Sequence, residues 1–123
     1  MKRMKVVVLW AGVFVFAGAA AVAASGSSAA TAQKGRAAQV ERGRAVYSAN
    51  CGRCHGSDGQ GRTRMAETVE PPDLSDPAWL RGRSSSRMIA SVANGRGQMP
   101  AFKKKLSRED IAASIAYVRT LRR

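Results

Sequence analysis

Cys51-Gly52-Arg53-Cys54-His55 holds both cysteines and the only histidine of a 123-residue chain. Three thiol or imidazole groups confined to one short window point to a single chemical event that uses all three. In a Cys-x-x-Cys-His run the two thiols are spaced to form thioethers with the two vinyl groups of one porphyrin, and the adjacent imidazole falls beneath the iron. The expected chemistry is therefore covalent attachment of one haem through Cys51 and Cys54, with His55 as the proximal iron ligand. Three other readings compete. A thioredoxin-type redox pair needs a strand before it, and none is legible. A structural zinc site needs a fourth ligand, normally another Cys or His, and the chain has none left. A Cys51–Cys54 disulfide would close a very short loop and leave His55 without a role.

At the N-terminus Lys2, Arg3 and Lys5 precede an apolar run from Val6 to Ala24 whose far end is crowded with small residues. This is the layout of an export signal over residues 1–24, with cleavage after Ala21-Val22-Ala23 or as late as Ala30-Thr31-Ala32. The alternative is a retained membrane anchor, because a bilayer is crossed by roughly 20 apolar residues. The alanine-rich end weakens that alternative, since Ala and Gly supply little apolar area. Either way the remainder is expected in the periplasm, free or held at the membrane face. Residues 25–38, rich in Ser and Ala, read as a flexible leader, and 39–123 as the folded domain.

A domain of under about 100 residues lies near the low end of what an apolar core alone can stabilise. Its aromatic residues are Tyr47, Trp79, Phe102 and Tyr117. A porphyrin would supply the large apolar plane that the chain lacks and would stabilise the native state by mass action, so the apoprotein is expected to fold poorly.

Val40, Gly43, Tyr47 and Cys51 recur at helical spacing, so a helix carries the first thiol into the site. Gly43 costs helix stability, and close approach of another backbone is the usual compensation. The glycine-rich run Gly56-Ser57-Asp58-Gly59-Gln60-Gly61 reads as a tight, rigid loop. Pro71-Pro72-Asp73-Leu74 is expected as extended chain around the haem. Asp76-Pro77 caps a short turn that carries Trp79 and Leu80 inward. Ser84-Ser85-Ser86 starts a helix with Met88, Ile89 and Val92 on its apolar face and Asn94-Gly95 as its stop. The last helix has Ser107 as N-cap, Asp110 in capping-box position, Ile111, Ile115, Val118 and Leu121 on its buried side, and Arg119, Arg122 and Arg123 at its end. No period-2 alternation appears, which makes the domain all-α with long loops.

Between the last two helices lies Gly97-Gln98-Met99-Pro100-Ala101-Phe102. Met99 is the candidate sixth iron ligand; with both axial positions filled, the iron is closed to oxygen and peroxide and passes electrons only. Two-histidine ligation is excluded by the single histidine. The competitors are Met65, Met88, one of Lys103 to Lys105, or water. Met88 shares a face with Val92 and fits helix core, and Met65 lies too close behind the haem motif to reach the opposite side of the ring.

The pattern resembles the small bacterial class I cytochromes c, over Gln39 to the C-terminus. The resemblance rests on Cys51-x-x-Cys54-His55-Gly56, on Met99-Pro100 in its loop and on the capped final helix. It implies the cytochrome c fold: three to four helices with long loops wrapped around one covalently attached, His/Met-ligated haem. It also implies a contact of Gly43 and Tyr47 with Tyr117, a Pro71 or Pro72 carbonyl holding the proximal imidazole, and a propionate bound by Trp79 or a nearby Arg. Ser114, three residues before Tyr117, stands where the family usually places a large aliphatic residue.

Three of the 21 Lys and Arg fall in the signal, leaving 18 against eight acidic residues and a formal charge of +10. Export argues against nucleic acid as a partner, so the expected partners are a redox donor and acceptor with acidic docking surfaces, or an anionic membrane face. Lys103 to Lys105 are placed either near the haem edge or in a solvated loop. The expected function is a monomeric, non-enzymatic periplasmic carrier of one electron. The alternatives are a membrane-tethered subunit of a respiratory or dehydrogenase complex, and a haem-based sensor or enzyme if the sixth position is open.

Overall fold

The computed structural model describes residues 25–123, with side chains from residue 28 onward. The signal or anchor expected over residues 1–24 lies outside the described residues. Among those that are described, no helix is long and apolar enough to cross a membrane. They form six helices: α1 (Ser25–Asn50), α2 (Gly52–His55), α3 (Ala66–Val69), α4 (Pro77–Arg81), α5 (Ser85–Asn94) and α6 (Arg108–Val118). The only β-type pairing among them is one isolated bridge between Arg96 and Met99, so the all-α expectation holds. The helix count exceeds three to four because α2 and α3 are single turns, too short to generate a periodic signal.

Residues 25–38 correct the expectation of a flexible leader. They continue α1 without a break and are exposed from residue 28 to Gln39. Their alanine-rich composition carries little helix penalty, and extending a helix already nucleated by the packed Gly43–Tyr47 half adds one bond for each residue ordered.

The core joins α1, α4, α5 and α6 through Tyr47, Leu80, Met88, Val92, Ile111, Ile115 and Val118, with Leu74 from the loop before α4. Burial of each such aliphatic side chain stabilises by about 1.5–3 kcal/mol. The helix starts are those that the side chains dictate. Asp76 accepts from the Ala78 N–H at 2.8 Å, Ser84 from the Arg87 N–H at 3.2 Å, and Ser107 from the Asp110 N–H at 3.0 Å.

α1 crosses α6 in backbone contact at Gly43. A Cβ built there would lie 1.9 Å from the Ala113 carbonyl oxygen and 3.1 Å from the Ser114 N. Small residues on α6 permit this approach. Ser114 is buried, and its hydroxyl donates to the Ile111 carbonyl at 2.8 Å, so the departure from a large aliphatic residue leaves no unpaired polar group. Further along the crossing Tyr47 and Tyr117 meet with ring centroids 5.3 Å apart and planes tilted by 57°. At its rim Arg42 Nε donates to Asp110 Oδ1 at 2.8 Å.

The end of α6 differs from expectation. The helix stops at Val118, so Leu121 and the terminal arginines form a strap beyond it. Arg119 does not serve the dipole of its own helix. Its guanidinium donates to the Leu80 carbonyl at 2.7 Å and to the Arg83 carbonyl, tying the strap to the end of α4 and the residues after it.

Candidate functional site

α1 hands over to α2 at Cys51, whose N–H donates to the Tyr47 carbonyl at 2.8 Å. The Cys54 and His55 N–H groups then both donate to the Cys51 carbonyl, at 3.1 and 2.9 Å. The motif is thus one helical turn, and positions i, i+3 and i+4 place Cys51, Cys54 and His55 on a common face. Both thiols are free and partly buried. Burial pushes the Cys51 pKa up to about 11, helped by Cys54 and opposed by Lys105, so this thiol is protonated at neutral pH. Lys105 is thus close enough to Cys51 to act on its thiol, whereas Lys103 Nζ donates to Asn94 Oδ1 at 3.2 Å.

The glycine-rich loop is rigid for a visible reason. Gly56, Gly59 and Gly61 all have φ between 67° and 79°, a region costly for residues with a Cβ. Loop bonds then stitch it: the Gly61 N–H to the His55 carbonyl at 2.8 Å, and the Leu74 N–H to the Gly59 carbonyl at 2.7 Å. Tyr47 completes the clamp by donating its buried hydroxyl to the Gly56 carbonyl at 2.8 Å. Its place at helical spacing from Cys51 is legible in the sequence, but its acceptor is not. Tyr47→Phe leaves that carbonyl with only the 3.3 Å bond from the Gly59 N–H and is expected to cost about 1 kcal/mol in chemical denaturation, with the helix crossing preserved. An unchanged midpoint would remove the hydroxyl from this role.

His55 is partly buried, and its Nδ1 is buried without a hydrogen bond of full geometry. Burial lowers its pKa, and the backbone of Pro72 acts in the opposite direction. Of the two prolines, it is Pro72 whose carbonyl acts on the imidazole. Pro71 instead packs at Gly61, where a built Cβ would lie 3.2 Å from its Cγ.

Met99 sits in a turn closed by two bonds of 3.0 Å between its backbone and that of Arg96. Gly95 makes the turn possible. Its φ is 77°, and an added Cβ would approach the Met99 carbonyl oxygen to 2.7 Å. The Phe102 and Lys103 N–H groups return the chain to the Val92 and Ala93 carbonyls. Met88 is buried core, as expected, and Met65 is the N-cap residue of α3. Cys51, Trp79 and Met99 all pack, partly buried, against one apolar cluster. Arg83 stacks 4.2 Å from the centroid of the Trp79 ring and donates to the Trp79 carbonyl.

These groups fit a covalently held porphyrin: two free thiols one turn apart, a partly buried imidazole on the same face, a partly buried thioether and partly buried apolar side chains beside the core. Fold and site together define a c-type cytochrome. A solved structure described as the KustC0563 c-type cytochrome superposes with a TM-score of 0.62 at 30% identity, covering 66% of this chain and 98% of that one. The chain belongs to the family "Cytochrome C oxidase, cbb3-type, subunit III", whose model matches residues 38–118. Among its relatives are the Cbb3-type cytochrome c oxidase subunit CcoP of Azospirillum brasilense, 37% identical over 80 residues, and subunit FixP of Azorhizobium caulinodans, 36% identical over 80 residues. Each alignment covers 64% of this chain but only 27% and 26% of the relative, so the chain spans about a quarter of their length.

Proposed function

We propose that this chain carries single electrons through one haem c, joined at Cys51 and Cys54 and held by His55 and Met99, as a membrane-tethered periplasmic subunit of a respiratory oxidase complex. The observation that carries the reading is the α2 turn, which puts both thiols and the imidazole on one face. One such motif in the chain supports one haem. When bound, that haem supplies an iron that cycles between ferric and ferrous states. The chain's residues hold the imidazole, exclude water with the apolar cluster and present Met99 from a braced turn. Trp79 with Arg83 supplies indole and guanidinium donors for a propionate. The protein makes and breaks no substrate bonds of its own.

Tethering is favoured over free diffusion by the names of the relatives, which are oxidase subunits. The tether would be the Val6–Ala24 run. The partners would be a redox donor and acceptor with acidic surfaces, met by the lysines of the 103–105 run, of which Lys105 acts on the Cys51 thiol.

The test is an optical spectrum of the protein matured with c-type attachment machinery, oxidised, reduced, and reduced under carbon monoxide. A low-spin haem c that ignores carbon monoxide is expected. Prompt carbon monoxide binding would transfer the reading to an open, sensing or catalytic site, and absence of haem would return the cysteines to a disulfide. Electron transfer to an acidic partner should slow as salt rises.

A further inference from the structure

The strap after α6 reaches back to the segment that follows Pro72. Arg123 Nε donates to Ser75 Oγ at 2.9 Å, Arg123 Nη2 to Asp73 Oδ2 at 3.0 Å, and the Arg123 N–H to the Ser75 carbonyl at 3.2 Å. The segment is also cross-braced internally. Ser75, with no exposed surface, donates from both its backbone N–H and its hydroxyl to Asp73 Oδ1, at 2.8 and 2.6 Å. Leu74 lies between, buried, bonded to Gly59, and Leu121 of the strap approaches the same glycine. Arg123 therefore ties Asp73 and Ser75, which flank Leu74 in a segment that directly follows Pro72.

We infer that Arg123 is a positioning residue for the iron ligand: by locking Asp73 and Ser75 it fixes where the Pro72 carbonyl stands relative to the buried Nδ1 of His55. This inference rests on the haem reading above. An acceptor held at Nδ1 makes the imidazole a stronger electron donor through Nε2 and so favours ferric iron. A loosened carbonyl weakens that donation and shifts the couple toward ferrous.

The experiment compares the haem-loaded wild type with Arg123→Gln and Arg122→Gln. Arg122 is an exposed neighbour, so its variant removes the same charge from the same strap without touching residues 73–75. At a fixed ambient potential the ferrous-to-ferric ratio of Arg123→Gln is expected to rise about fivefold, the worth of roughly one net hydrogen bond. Exchange of the His55 Nδ1 proton, followed by NMR, should quicken alongside it. Arg122→Gln should change neither. If Arg123→Gln fails to fold, Ser75→Ala removes the same central hydroxyl at little cost in volume and should move the ratio in the same direction. A native spectrum with an unaltered ratio in the folded variant overturns the inference alone, because lost strap packing would lower stability without moving the redox couple. A wild type lacking a His-ligated haem overturns the site reading, and this inference with it.

Discussion

Gly43→Ala is expected to destabilise the haem-loaded protein by about 3 kcal/mol, the upper end of what overpacking costs. Two effects oppose each other at this position. An alanine in a helix interior is intrinsically better than glycine by about 1 kcal/mol, which alone would stabilise α1. The added methyl, however, would stand 1.9 Å from the Ala113 carbonyl oxygen, and that contact is with backbone rather than with the end of a flexible side chain. Neither helix can yield locally. The crossing must open, and with it the Tyr47–Tyr117 contact and the Tyr47 hydrogen bond to Gly56. Urea unfolding monitored by far-UV circular dichroism measures the loss. A variant as stable as the parent would mean that the two helices cross at a wider separation than 1.9 Å allows.

Met99→Ala is expected to open the sixth position of the haem while leaving it attached. The midpoint potential should fall by on the order of 0.1 V, a fraction of the roughly 0.8 V over which axial ligands set haem potentials. Carbon monoxide should bind the reduced variant promptly. Folding should suffer little, because Met99 is only partly buried and its turn is held by backbone bonds to Arg96 and by the conformation of Gly95. Potentiometry and carbon monoxide titration read the two effects separately. If both were unchanged, another group would hold the iron, and Lys105, beside the motif, would be the next residue to replace.

The two substitutions probe different kinds of information. Met99 stands out in the sequence as a methionine beside a proline in a polar loop, and its partners in the turn are local. Gly43 stands out only as an unfavoured residue in a helix. That its neighbour would be the Ala113 carbonyl, 70 residues away in the chain, is a property of the crossing. The same division runs through the helix ends. Asp76, Ser84 and Ser107 cap helices with bonds to residues two or three positions on, so their roles were readable. Arg119 and Arg123 looked like charges placed for a helix dipole, yet Arg119 serves a carbonyl at the end of α4 and Arg123 a carboxylate in the loop before it.

What the amino-acid order determined by itself was the chemistry: two thiols and an imidazole in one five-residue window, a methionine beside a proline in a loop, and an all-α chain between them. These are short-range matters, settled by residue type and by the periods of the helix. What only the tertiary structure decided was which distant groups hold that chemistry in place. Pro72 rather than Pro71 acts on His55, Lys105 rather than Lys103 acts on the Cys51 thiol, and a strap from residue 119 to 123 braces the end of α4 and the Asp73–Ser75 segment. The physical reason is that a buried donor or acceptor must be paired wherever packing leaves it, and the packing of α1 on α6 settles which residues come within reach.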